Sequence, residues 1–363
     1  MDTSAVNLNV TIDDFDSLLT YEDQGVWTTP DPSASNYSTA GPWLRGTYHR
    51  TESKGASVSL NITGPALYIY GNKGPSYGSY EVEIDSVALQ YSAYQENADN
   101  TSQILFAASN LTYANHNVVL RNLGAQSSLG DKGGDSFLLD YIQTTIQVAP
   151  EGATTTNITY QETDAIITYN GTWGKNSGPF FSGGGTTFTN GDGASFSLSF
   201  HGSAIYIFGD KKNDHGIYSI ALDDRPLEFY DGVSGCGGAF GMTCEQQIPT
   251  IKYLASNLDS SLHDLTLQNH AGVNNSFFDM DSIIVTVPSQ YAPRQLSTGS
   301  SPFVTTSSSS SSPSSTTSTT TSPSPSTDAN TSGAAPSMAL IPISLLLLFV
   351  MSLVYLLRPN LRK

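Results

Sequence analysis

Apolar and polar residues alternate with a period of two along much of this chain. Val58, Leu60 and Ile62 alternate with Ser59, Asn61 and Thr63, and Phe196, Leu198 and Phe200 alternate with Ser197, Ser199 and His201. Tyr80, Val82 and Ile84 follow the same rule, as do Tyr218, Ile220 and Leu222. Successive side chains of a strand point to opposite faces, so each run predicts a strand with one buried and one wetted face. Turns such as Asn170-Gly171 and Asp192-Gly193 punctuate the runs. No stretch before residue 338 carries a helical period. The pattern changes once, from Met338 to Leu357, where MALIPISLLLLFVMSLVYLL runs for twenty residues without a charge. That is the length a helix needs to cross a bilayer core.

The strands repeat. GASVSL at residues 55–60 returns as GASFSL at 193–198, an offset of 138. At the same offset YIYG (68–71) returns as YIFG (206–209), and GSYEVEID (78–85) as GIYSIALD (216–223). Further on, ASNL (108–111) matches residues 255–258 and HNVVLRN (116–122) matches HDLTLQN (263–269), now at an offset of 147. The nine residues gained lie between Asp223 and Ala255, the interval that holds Cys236 and Cys244. Each copy closes alike, on FLLDYI (137–142) and FDMDSI (278–283). The repeat predicts an all-β fold of two tandem antiparallel β-sandwiches, residues 1–149 and 150–290. A disordered Ser/Thr/Pro-rich stalk is expected at 291–337, a transmembrane helix at 338–357 and a short basic cytosolic tail at 358–363.

Charge narrows the partners. Lys and Arg total 15 against 32 Asp and Glu, a net charge of −17 that repels phosphate backbones and excludes nucleic acid. Arg358, Arg362 and Lys363 follow the apolar run, and no Lys or Arg lies between Arg294 and it. By the positive-inside rule the sandwiches face out of the cell, as expected of a single-pass plasma-membrane protein. Two alternatives stay open. A glycosylphosphatidylinositol signal also ends in an apolar tail after small residues such as Ser332, Gly333 and Ala334. A tail-anchored cytosolic protein is suggested by the start, MDTSAVNLNVTIDD, which lacks the basic and apolar regions of a signal peptide. The surface reading therefore expects a signal peptide upstream of Met1 that this gene model lacks. In its favour stand glycosylation sequons at Asn9, Asn36, Asn61, Asn100, Asn110, Asn157, Asn170, Asn274 and Asn330. In an oxidising compartment Cys236 and Cys244 are expected to form a disulfide across the enlarged loop; two free thiols are the alternative.

The order of these motifs resembles that of tandem galactose-binding-like jelly-roll ectodomains in membrane-anchored proteins of mushroom-type fungi. The resemblance runs over most of residues 20–290: Trp27 or Trp173, then GASVSL, YIYG, GSYEVEID, ASNL, HNVVLRN and the closing LDYI, with their second copies. It implies a jelly-roll fold and a surface glycoprotein, and it brings no catalytic constellation.

Candidate chemistry is sparse. Asp85 and Asp223, like Asp140 and Asp281, are repeat-equivalent carboxylates at strand ends, read as acceptors of backbone hydrogen bonds in turns. His116 and His263 have no recognisable Ser or Cys partner for a triad. Trp27, Trp43 and Trp173 are the candidates for stacking on a sugar, although the repeat-matched pair Trp27 and Trp173 also fits a core role. The acidic segments 131–135 and 279–281 offer oxygens suited to structural calcium, which their spacing does not require; no cofactor is expected. The leading expectation is a non-enzymatic cell-surface or wall-associated glycoprotein that binds extracellular glycan, wall polysaccharide or a protein. An adhesion or sensing ectodomain comes second and a glycan-acting hydrolase third.

Overall fold

The computed structural model describes residues 5–31, 37–234, 245–299 and 301–304. They form antiparallel ladders of strands, and the helices among them are single 3-10 turns. Two lobes follow the repeat. In lobe 1 one sheet runs Trp27–Thr28, His49–Thr51, Phe137–Pro150, Ala66–Lys73, Asp99–Ala108, with Ala5–Asp13 also paired to Phe137–Pro150. The facing sheet runs Thr20–Tyr21, Ser57–Thr63, Asn115–Gly124, Ser79–Ile84, Val87–Ser92. Lobe 2 repeats this second sheet as Thr168–Asn170, Ser195–Phe200, His263–Asn269, Ile217–Leu222, Glu228–Asp231. Its counterpart of the first sheet is split. Thr155–Gln161, Ser282–Pro288, Ala204–Lys212 and Glu245–Ser256 form one part; Gly174–Ser177, Gly185–Thr189 and Phe278–Met280 form the other.

The alternating runs face as their pattern requires. Val58, Leu60 and Ile62 are buried while Asn61 is exposed, and Phe196, Leu198 and Phe200 are buried while Ser199 is exposed. The glycine of YIYG and YIFG answers a close approach: a Cβ on Gly71 would stand 2.0 Å from the Leu138 carbonyl oxygen, and one on Gly209 2.2 Å from that of Asp279. Burying these inner faces drives both lobes to fold.

The lobes share one compact unit, residues 1–306. Ala204 and Ile251 of lobe 2 are buried in the core of lobe 1, and Tyr206, Phe208 and Leu254 pack against it. Residues expected to begin the stalk run back over lobe 1 instead. The Ser297 amide donates to the Tyr113 carbonyl at 2.8 Å, Thr112 to Pro302 at 2.9 Å and Val304 to Asn110 at 2.9 Å. The remaining stalk to residue 337, the apolar run 338–357, the tail 358–363, Cys236, Cys244, Asn36 and Asn330 lie outside the described residues. Among the described residues no helix is long and apolar enough to cross a membrane.

Candidate functional site

The nominated tryptophans do not converge. Trp27 is 1% exposed, set edge-on against Tyr21 and Phe137 in the core. Trp173 holds the matching place in lobe 2, edge-on to Tyr169 and Phe196 and donating from Nε1 to the Asn170 carbonyl at 3.0 Å. Trp43 is half-buried against Tyr48. The paired carboxylates are turn builders. Asp85 and Asp223 sit at φ 54° and 52°, accept from the Asn117 and Asp264 amides at 3.0 and 2.9 Å, and face His116 and His263 at 2.9 and 2.8 Å. In segment 131–135, Asp131 accepts from Ser79 at 2.6 Å and Gln126 at 2.7 Å. No group of three or more His, Cys, Asp or Glu among the described residues is placed to hold a metal ion. The described sequon residues Asn9, Asn61, Asn100, Asn110, Asn157, Asn170 and Asn274 are all exposed.

A groove of about 800 Å³ lies between the lobes. Lobe 1 lines it with the polar face of two strands. Asn61 and Asn117 are joined there by a 3.1 Å hydrogen bond, with Thr63 and Asn115 beside them. Lobe 2 lines it with the turn and strand from Arg225 to Tyr230 and with Tyr253. Leu227 and Phe229 are 52% and 59% exposed. Glu228 is the carboxylate among the lining residues, and two phenols orient it: Tyr230 donates to Oε2 at 2.7 Å and Tyr253 to Oε1 at 3.5 Å. Burial, then the Glu228 charge, holds both phenols above their ordinary range, so they remain donors.

Pairing registers identify what lobe 1 has at these positions. Val82 pairs Leu89 as Ile220 pairs Glu228, so Glu228 replaces Leu89, and Phe229 replaces Gln90. Tyr80 stacks on Tyr91, and Tyr91 meets Phe106 edge-on; Tyr218, Tyr230 and Tyr253 repeat that geometry, so Tyr253 replaces Phe106. Lobe 2 therefore substitutes a carboxylate and a phenol for two apolar side chains, and an outward ring for an outward amide. Aligning the two copies through this hairpin would have revealed the exchange in sequence.

Beside the groove, and sharing Thr20 with it through a small pocket, a buried charged cluster joins the lobes. Asp13 ends the first strand and Asp14 and Asp16 follow it, all three at most 1% exposed. Asp16 accepts from the Ile251 amide of lobe 2 at 2.7 Å, and Ser17 donates to the Ile251 carbonyl at 3.0 Å. Asp14 accepts from Thr47 at 2.6 Å and faces His49 Nδ1 at 2.7 Å. The separation is that of an ion pair, yet burial pushes Asp14 well up and His49 well down, so the neutral forms are favoured on both sides. Closed off from solvent, this cluster fastens the lobes. Its signal in sequence is DDFDS (13–17) against QETDA (161–165), where Asp164 repeats the Asp16 contact by accepting from the Gln161 amide at 2.8 Å.

No family model matches the chain. It is 26% identical over 191 residues to an A type blood α-D-galactosamine galactosaminidase of Flavonifractor plautii, a match spanning 52% of this chain and 16% of that protein's length. Solved structures with similar parts include a Paenibacillus xanthan lyase, at 13% identity over 74% of this chain and 25% of that one, TM-score 0.29. An exo-β-1,3-galactanase of Phanerochaete chrysosporium shares 14% identity over 71% and 68% of the two chains, TM-score 0.26. A family 35 carbohydrate binding module of Clostridium thermocellum shares 15% over 35% and 98%, TM-score 0.26. Such scores are too low to carry an inference. The expectation of a non-enzymatic protein is corrected by the sequence match: the curated relative is named for an enzyme of glycans.

Proposed function

We propose that the chain is a glycan-acting hydrolase that seats a carbohydrate chain in the groove between its lobes, with Glu228 as the proton-transferring group. The observation that carries this reading is the exchange of Leu89 and Phe106 for Glu228 and Tyr253 in the second copy. A carboxylate set into a formerly apolar position costs stability, and chemistry is a reason to keep it. Phe229 offers a flat apolar face for a sugar ring, and Asn117 and Arg225 offer hydrogen bonds to its hydroxyls. Tyr230 and Tyr253 hold Glu228 as an acceptor, where it can take the proton of a water whose oxygen bonds to the anomeric carbon as the glycosidic bond breaks, the departing sugar oxygen taking a proton from solvent.

The motif order and the antiparallel sheets support reading each lobe as a galactose-binding-like jelly roll. The apolar run at 338–357 and the sequons support placing this activity outside a cell, on an integral membrane anchor. Purified full-length chain should release sugar from oligosaccharides ending in galactose or galactosamine, and Glu228→Gln should lower turnover ~10²-fold or more. Equal turnover by Glu228→Gln would overturn the assignment.

A further inference from the structure

Lobe 1 closes over one edge of lobe 2, and the repeat leaves both halves of that contact free at the opposite ends of the molecule. The covered edge is strand Glu245–Ser256, outermost in its sheet. The turn after the first strand meets both outward backbone groups of Ile251: the amide donates to Asp16 Oδ1 at 2.7 Å, and the carbonyl accepts from the Ser17 amide at 3.0 Å. Lobe 1 has the same edge in strand Asp99–Ala108. Tyr70 pairs Ile104 after a register shift, just as Phe208 pairs Ile251 after one, so Ile104 stands where Ile251 does and its amide and carbonyl point away from the sheet. No turn, loop or side chain among the described residues bonds them, and Ile104 is 49% exposed against 6% for Ile251.

Lobe 2 in turn carries the other half. In lobe 1 the Asp16 amide donates to the Asp13 carbonyl and the Leu19 amide to the Asp16 carbonyl, and in lobe 2 the Asp164 and Ile167 amides repeat both bonds, all four at 3.0 Å. Asp16 Oδ2 accepts from the Asp13 amide and Asp164 Oδ2 from the Gln161 amide, each at 2.8 Å. The turn is therefore already shaped for the contact. Asp164 Oδ1, the oxygen that in Asp16 takes the Ile251 amide, receives no donor among the described residues, and Ala165, at the place of Ser17, is exposed.

We infer that a second copy of this chain docks here, its Asp164 turn seated on the Ile104 edge of the first, continuing between molecules the packing that joins the lobes within one. The two surfaces differ, so copies add head to tail. The contact is weaker than the internal joint, because Gly183 stands at the place of Arg45, whose guanidinium donates to the Pro249 carbonyl at 3.4 Å. Each copy also carries a net charge of −17, so salt strengthens the association by screening. The inference is independent of the role assigned to Glu228.

In sedimentation velocity the full-length chain in detergent should gain mass with concentration, and more steeply at high salt. Asp164→Ala, which removes the acceptor, and Ile104→Glu, which sets a like charge against it, should each keep the circular dichroism of the parent and associate ~10-fold or more weakly. Mixed in equal amounts, the two variants should form a dimer that grows no further, because the first keeps an intact Ile104 edge and the second an intact Asp164 turn. A parent that stays monomeric at every concentration, variants that associate as the parent does, or a mixture that stays as weak as its components overturns the inference.

Discussion

The two lobes share a backbone frame and differ in what they bury in it. In lobe 1 the Asn72 amide donates to the Tyr77 hydroxyl at 3.1 Å. Lobe 2 sets Asp210 against His215 there, at 3.1 Å. Tyr80 donates to the Leu105 carbonyl in lobe 1 and Tyr218 to the Lys252 carbonyl in lobe 2, so Lys252 replaces Leu105. The close carbonyl facing Gly71 belongs to Leu138 and that facing Gly209 to Asp279, so Asp279 replaces Leu138. Lys252 and Asp279 are 0% and 1% exposed. Burial pulls the Lys252 ammonium down to about 8, and burial together with Asp210 pushes the Asp279 carboxyl up to about 6. Lobe 1 serves as an internal control: it shows that the frame needs none of these charges, nor Glu228 and Tyr253. A fold that tolerates apolar residues at such positions retains polar ones for a task beyond folding.

Giving lobe 2 the residues of lobe 1 tests this, and the largest effect falls on chemistry. Glu228→Leu combined with Tyr253→Phe should abolish sugar release, a loss of ~10²–10⁴-fold, while circular dichroism and the melting transition stay those of the parent or better. Lys252→Leu alone should leave stability unchanged or raise it, because the buried Lys252 ammonium has no hydrogen-bond partner among the described residues while Asp210 keeps Lys212 and His215, each at 3.1 Å. The double variant Lys252→Leu, Asp279→Leu should stay within ~1 kcal/mol of the parent in urea unfolding. Two destabilising effects that simply add would show that the frames are not equivalent. Phe229→Gln should raise KM about fivefold with kcat little changed, the loss of a stacking contact of ~1 kcal/mol.

The smallest effect is a pH slope. Burial pushes Asp281 up to about 7, so the folded state binds its proton more tightly than the unfolded chain. Its contribution to stability is therefore present near pH 4 and is lost as pH rises towards 7. Asp281→Asn should flatten that part of the melting-temperature profile relative to the parent; an unchanged slope would locate the linkage elsewhere.

The antiparallel strands were legible because a period of two is a local property. Val58 to Ile62 declare which face is inward without reference to any distant residue. The repeat match of Trp27 and Trp173 places both edge-on to a tyrosine, Tyr21 and Tyr169. What escaped depends on contacts between lobes. Nothing in the local pattern of Asp13 to Asp16 announces burial, and only the Ile251 backbone of lobe 2 makes it an interior fastening. Glu228 and Phe229 are the exception, since aligning the two copies through their hairpins matches them to Leu89 and Gln90.

The most direct test is release of reducing sugar from galactose- and galactosamine-ending oligosaccharides by the parent chain and by Glu228→Leu, Tyr253→Phe side by side. The account predicts steady release by the parent and none above background by the variant. Release at equal rates by both, or none by the parent on any of these glycans, would contradict it.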